Sequence, residues 1–267
     1  MDALPTIFIS HGSPDTAIAD TAAATFLKGF AATIARPRAI IVVSAHFEVE
    51  GGVAVTADAM PETIHDFGGF DRKLYEIRYG APGLPGLAAD IARRLTEQGF
   101  KARTIGDRGF DHGTWVPLSL IYPEADIPVV QVSVDPGRDA AYHMSLGRAL
   151  ADLRGEDVLI IGSGSFTHNL GEAFKALRAG RRDAPVPDWV AEFAAWMDDR
   201  IRAGDEQALT GWLEQAPHAA RNHPTPEHLM PLFVAIGAAN RNAGWRADAI
   251  HASNEFGALA MDAYAFH

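Results

Sequence analysis

The chain has 267 residues, 48% of them apolar, which is the composition of a folded protein with a sizeable core. A formal net charge of -11, with basic residues forming only short pairs such as Arg93-Arg94 and Arg181-Arg182, argues against a nucleic-acid partner held through its phosphates. The absence of cysteine rules out disulfides and thiolate metal sites and suits a cytoplasmic location, and no apolar run approaches the length of a membrane span.

Met1-Asp2-Ala3-Leu4-Pro5 has no basic stretch and runs straight into an apolar segment, so a signal peptide is not expected. The first strand is predicted at 6–10, followed by an alanine-rich helix at 19–35. Strands are predicted next at 39–44 and 52–56, each a β-branched apolar run. Leu87, Ile91 and Leu95 give helical spacing over 84–98, which Gly99 ends. A strand at 128–134, a helix at 140–154 and a strand at 158–162 follow. Further helices are expected at 187–203, 206–215 and 226–240, the last with Thr225 as N-cap and Pro226 in the first turn. Residues 245–252 read as a late strand. Continuous apolar strands alternating with helices predict an α/β fold: a mostly parallel central sheet with helices on both faces, in a single domain spanning 1–267.

Five histidines stand at strand ends or loop mouths: His11, His46, His112, His168 and His223. In open α/β sheets the carboxyl ends of strands face the ligand crevice, and imidazole is a common neutral ligand for catalytic transition metals. His11 follows Ile7-Phe8-Ile9 in the sharp turn Ser10-His11-Gly12-Ser13-Pro14, and His46 follows Ile40-Ile41-Val42-Val43. Either alone would read as a turn histidine; together they can converge on one metal. His112 sits in a loop that enters an apolar helix, with Trp115 as core packing. His168 follows Gly162-Ser163-Gly164, which is neither a nucleotide-binding nor a serine-hydrolase motif. These small residues are expected to let the chain pass close to a substrate. His223 is kept extended by Pro224, and Glu227 lies in the first turn of the next helix, so both are candidate ligands. His228 reads as a packed or surface histidine, and His65, His143, His218, His251 and His267 as structural.

Five segments in order carry a resemblance: Ser10-His11-Gly12-Ser13-Pro14, Ser44-Ala45-His46-Phe47, Asp111-His112-Gly113-Thr114-Trp115, Gly162-Ser163-Gly164-Ser165-Phe166-Thr167-His168-Asn169 and His223-Pro224-Thr225-Pro226-Glu227-His228. With the Met261-Asp262-Ala263-Tyr264 tail, the chain resembles the class III extradiol ring-cleavage dioxygenases nearly end to end. It is most similar to the DOPA-dioxygenase branch of the protocatechuate 4,5-dioxygenase β-subunit superfamily. The resemblance implies one catalytic domain and a non-haem Fe(II), often replaced by Zn(II) in purified protein. It implies His11, His46 and His223 as metal ligands, with Glu227 as the rival for the third position. His168 is implied as the acid–base residue, able to coordinate in a zinc form, and His112 as a hydrogen-bonding partner of substrate or oxygen. The implied reaction takes a catechol and O2 through a lactone to a muconic semialdehyde, with His168 moving the protons.

Two other readings use the same residues. Three histidines also describe a zinc hydrolase, and the non-enzymatic Memo family resembles the same superfamily. DOPA-like, caffeate-like and protocatechuate-like substrates all remain open, as does a homo-oligomeric state. Arg72, Lys73, Arg78 and Arg221 are candidates to pair with a substrate carboxylate, though each reads first as a surface charge.

Overall fold

A computed structural model describes residues 3–239 and 244–267. Met1 and Asp2 of the leading segment, and Asn240 at the end of the helix predicted at 226–240, lie outside the described residues. The strands are β1 (Thr6–Ser10), β2 (Ala39–Glu48), β3 (Val53–Thr56), β4 (Ala102–Ile105), β5 (Val129–Val134), β6 (Val158–Gly164), β7 (Ala247–His251), β8 (Asn254–Glu255), β9 (Leu259–Ala260) and β10 (Ala263–Phe266). The helices are α1 (Ala22–Phe30), α2 (Pro85–Glu97), α3 (His112–Ile121), α4 (Ala140–Leu150), α5 (Leu170–Arg178), α6 (Asp188–Ala203), α7 (Glu206–Thr210), α8 (Trp212–Gln215), α9 (Ala219–Asn222) and α10 (Met230–Ala239).

Eight strands form one sheet in the order β4-β3-β5-β2-β6-β1-β10-β7. Its centre, β5-β2-β6-β1, is parallel throughout, while β10 adds antiparallel to β1 and β3 antiparallel to β5. The central strands are β-branched and buried on both faces, and their side chains alternate between two cores. Ile41, Val43, Val130 and Ile160 pack with α2, α4 and α10 on one face. Ile40, Val42, Val129 and Ile161 pack with α1 and α3 on the other. From Met230 to Ala238, α10 is buried all round, because it lies between the sheet and α4.

The α/β fold with a mostly parallel central sheet agrees with the sequence expectation. The differences have local causes. β4 has partly exposed residues, so it lacks an apolar signature, and β10 is recognisable only through its pairing with β1. α5 sits on the surface and was not predicted. Gly211 interrupts the helix expected at 206–215, dividing it into α7 and α8. His112 is not in a loop; it is the first residue of α3, whose N-cap is Asp111. Among the described residues, no helix is long and apolar enough to cross a membrane.

The adjacent strands β2, β6 and β1 run parallel, so their carboxyl ends open on one edge of the sheet. His11 directly follows β1, and residues 165–168 follow β6. His46 lies in a register break of β2, where the pairing with β5 jumps between Ser44 and Glu48. Such a break re-aims a side chain that regular alternation would direct into a core.

Candidate metal centre

Three imidazoles meet at this edge. His46 Nε2 lies 3.1 Å from His11 Nε2 and 3.2 Å from His228 Nε2. The proton positions follow from the partners on the other side of each ring. Ser163 Oγ donates to the Gly113 carbonyl, so it accepts from His11 Nδ1–H at 3.0 Å. Glu227 Oε1 accepts from His228 Nδ1–H at 2.7 Å. Asp66 Oδ2 lies 3.7 Å from His46 Nδ1, too far for a hydrogen bond but near enough to favour the proton on that nitrogen. Burial, reinforced by the neighbouring imidazoles, pushes His11 and His228 well below the ordinary histidine range, and His46 down to about 3. All three are neutral at neutral pH.

With the His11 and His228 protons held on Nδ1, their Nε2 lone pairs face His46 Nε2, and a cation among the three would draw on all of them. Nitrogen–metal bonds of about 2.1 Å put adjacent ligands about 3.0–3.4 Å apart, which the observed spacings match. An all-imidazole set suits Fe or Zn, and the outer carboxylate on His228 is the usual device for fixing such a ligand. The site fits a metal ion.

The sequence expectation named His11 and His46 correctly as neighbours, but the structure does not bring His223 to them. His223 Nε2–H donates to the Phe166 carbonyl at 3.0 Å, and its ring is boxed by Phe193 and Trp212. Its Nδ1 is buried without a hydrogen-bond partner among the described residues. Glu227 faces the back of His228 instead of the nitrogen cluster. The third imidazole belongs to His228, which the sequence reading had left as packing. The short Glu227–Leu229 turn ahead of α10 places it there, and the backbone of β6 admits it. The His228 carbonyl accepts from Ser165 N–H at 2.9 Å, and a Cβ on Gly164 would lie 2.1 Å from that carbonyl oxygen. The small residues at 162–164 thus clear room for the chain that carries His228, not for a substrate. His223→Ala is accordingly expected to keep stoichiometric metal while losing about 2 kcal/mol of stability, or about 4–8 °C in Tm, through the orphaned carbonyl and the void. Metal analysis beside thermal unfolding checks this; a folded His223→Ala protein without metal would restore His223 as a ligand.

His112 and His168 complete the cluster. The His112 ring lies 3.9 Å from that of His46, and its Nδ1–H donates to Asp66 Oδ1 at 2.9 Å. Burial acts to raise the Asp66 pKa, but the hydrogen bond and charge of His112 outweigh it and hold the carboxyl at about 2. The ring of His168 stacks on that of His228, with centroids 3.4 Å apart. Its backbone N–H bonds to the Asn222 carbonyl, and the next residue, Asn169, caps α5 through Glu172 N–H. Burial, aided by His223, pushes His168 down to about 4, so it too is neutral.

Sequence reasoning missed the supporting polar groups. Asp111 accepts from Ser44 Oγ at 2.6 Å and from Arg108 at 2.9 Å, while Arg108 also donates to the His46 carbonyl. This network ties the end of β2 to the start of α3. Gly113 permits the approach, since a Cβ there would lie 2.6 Å from Ser44 Oγ. Asp66 and Ser163, which orient the rings, carry no motif of their own.

A cavity of about 310 Å3 opens above the histidines, lined by His11, His46, His112, His168 and His228 and by apolar residues from α5 and the 67–70 loop. The sequence matches, over residues 5–261, the family model described as the catalytic LigB subunit of aromatic ring-opening dioxygenase. The chain belongs to this family. It is 42% identical to a 4,5-DOPA dioxygenase extradiol of Beta vulgaris, over 98% of this chain and 96% of that one. It is 38% identical to one of Escherichia coli, over 88% and 85%. The crystal structure of an uncharacterized protein from Escherichia coli K12 matches it with a TM-score of 0.75 and 29% identity, covering 98% of this chain and 99% of that one. This LigB-family chain is an extradiol ring-cleaving dioxygenase, which sets aside the hydrolase and binding-protein readings.

Proposed function

We propose that the protein opens the ring of a substituted catechol with O2 to give a muconic semialdehyde, using residues 1–267 as one catalytic domain in the cytoplasm. The observation that carries this reading is the convergence of three neutral Nε2 atoms on the floor of a cavity that also holds His112 and His168. His11, His46 and His228 would hold the metal, Fe(II) in the active form, with Zn(II) able to take the same nitrogens. Fe(II) supplies Lewis acidity toward the catechol oxygens and one-electron chemistry toward O2.

The protein's own residues handle binding and protons. His168, neutral and standing over His228, accepts a catechol proton on an imidazole nitrogen and returns it to the opening ring. His112 is fixed by Asp66 through Nδ1, which leaves Nε2 to hydrogen-bond the substrate. Phe67, Phe70 and Phe256 line the cavity and limit water at the reacting ring. The relatives from Beta vulgaris and Escherichia coli are named 4,5-DOPA dioxygenase extradiol, which supports a catechol that bears a side chain. Protein reconstituted anaerobically with Fe(II) is expected to consume one O2 per catechol and release a yellow product. Bound metal with no O2 uptake on any catechol would overturn the proposal.

A further inference from the structure

Phe256 lines the histidine cavity from the turn between β8 and β9. Its φ is +53°, in the left-handed region, where a bulky aromatic residue is an outlier, and Gly257 follows at +70°. Such a conformation persists only where the surroundings impose it, and it gathers at functional sites. Here the surroundings are specific. Phe256 N–H donates to the Arg182 carbonyl at 2.6 Å. Gly257 packs so closely on the 184–185 backbone that a Cβ would lie 2.7 Å from the Pro185 carbonyl oxygen. Thr167, next to His168, fixes the other side of the turn: its hydroxyl donates to the Ala258 carbonyl at 2.9 Å and accepts from Ala260 N–H at 2.7 Å.

Arg182 supplies more than that carbonyl. Its guanidinium lies over the Phe256 ring, with Cζ 4.6 Å from the centroid. Nη1 donates to Glu255 Oε2 and Nη2 to Asp15 Oδ2. Glu255 is 3% exposed and directly precedes Phe256. Asp15 belongs to the turn after His11, whose Ser13 and Pro14 also line the cavity, and Ser13 Oγ donates to Asp15. One planar cation therefore joins the loop after α5 to two segments of the cavity wall that are distant in sequence. Arg182 itself is not among the residues that line the cavity.

Given the catechol-cleaving reading above, on which this rests, we propose that Arg182 is a positioning residue: through Glu255, Asp15 and the Phe256 ring it holds Phe256 as the apolar wall against which the catechol binds. Without the guanidinium, the buried Glu255 carboxylate loses its counter-charge, and the turn loses contacts that keep Phe256 left-handed. The wall then leaves its place and substrate affinity falls. His11, His228, His112 and His168 are each held by other partners, so the metal site and the proton-handling groups continue to act.

The test uses Fe(II)-reconstituted holoenzyme, steady-state O2 uptake with catechol and DOPA, and anaerobic titration with 4-nitrocatechol followed by absorbance. In Arg182→Gln, KM for both substrates and Kd for 4-nitrocatechol are expected to rise about tenfold, the scale of one aromatic contact. Metal should stay stoichiometric and kcat within about threefold of wild type, because the lost contact is common to ground and transition states. Arg182→Lys, which keeps the charge without the fork, is expected to fall between the two. In a Phe256→Ala background, which itself raises KM, Arg182→Gln should add less than about twofold, since both changes remove the same wall. A merely structural arginine would lower Tm and the active fraction and leave KM in place. If Arg182→Gln does not fold, Asp15→Asn takes its place, freeing one arm of the fork while Glu255 stays paired, with an expected rise in KM of about threefold. Unchanged KM and Kd in the folded variant, or an equal rise in both backgrounds, would overturn the inference and leave ring cleavage standing. Wild-type protein that loads metal but neither binds 4-nitrocatechol nor cleaves any catechol would remove the catechol reading, and this inference with it.

Discussion

His228→Ala is expected to purify without stoichiometric metal and to turn over at less than about a thousandth of the wild-type rate with any catechol, even in excess Fe(II). His228 supplies one of three Nε2 atoms that stand 3.1–3.2 Å apart around His46, and its proton is already committed to Glu227. Removing it leaves two imidazoles, too few to hold a divalent ion firmly. Neither of the other two candidates from the same segment can substitute. His223, five residues earlier, is turned into the Phe193–Trp212 box with Nε2–H on the Phe166 carbonyl, and Glu227 points at the vacated ring position from behind. The paired measurement is metal content after gel filtration and O2 uptake, with His223→Ala as the companion variant. Retention of one tightly bound metal per chain in His228→Ala would remove His228 from the centre.

His168→Gln should behave differently, keeping its metal but losing kcat by about 10²–10⁴-fold, the range that a single acid–base group contributes. The ring stands outside the nitrogen cluster, stacked flat on His228 at 3.4 Å, so its loss removes no Nε2 atom from the trio. Burial keeps it neutral at neutral pH and therefore ready to accept a proton. Its position is set from outside by Asn222, Asn169 and Thr167, whose hydroxyl bridges Ala258 and Ala260, so a glutamine there leaves the backbone undisturbed. Metal analysis, anaerobic binding of a catechol followed by absorbance, and steady-state rates separate the outcomes. Full turnover would exclude His168 as the base, and loss of metal would make it a ligand.

Most of the sheet was legible in the sequence because β1, β2, β5 and β6 are apolar on both faces, and only a buried strand tolerates that pattern. The strand that ends at Ser10 was bounded in full, since Gly12 and Pro14 stop it. His11 and His46 were legible as neighbours because parallel strands bring their carboxyl ends to one edge. β4 and β10 were not, as their stability comes from partners distant in sequence. α5 was hidden for a related reason: three of its apolar residues face a cavity and not the core, so periodicity alone does not say what it packs against.

The sequence by itself therefore determined an α/β chain with chemistry-bearing histidines at strand ends and no sulfur to bind a metal. Only the tertiary structure decided which of His223, Glu227 and His228 joins them. All three lie in one turn-rich segment, where local rules left His223 and Glu227 both open and only the family resemblance favoured His223. The choice rests on long-range contacts: the Phe166 carbonyl that claims His223, the bare Cα of Gly164 that lets the His228 backbone settle on β6, and the Ser165 amide that holds it there. Spacing along a chain fixes which side chains share an element, but a metal centre is set by where separate elements bring their lone pairs together.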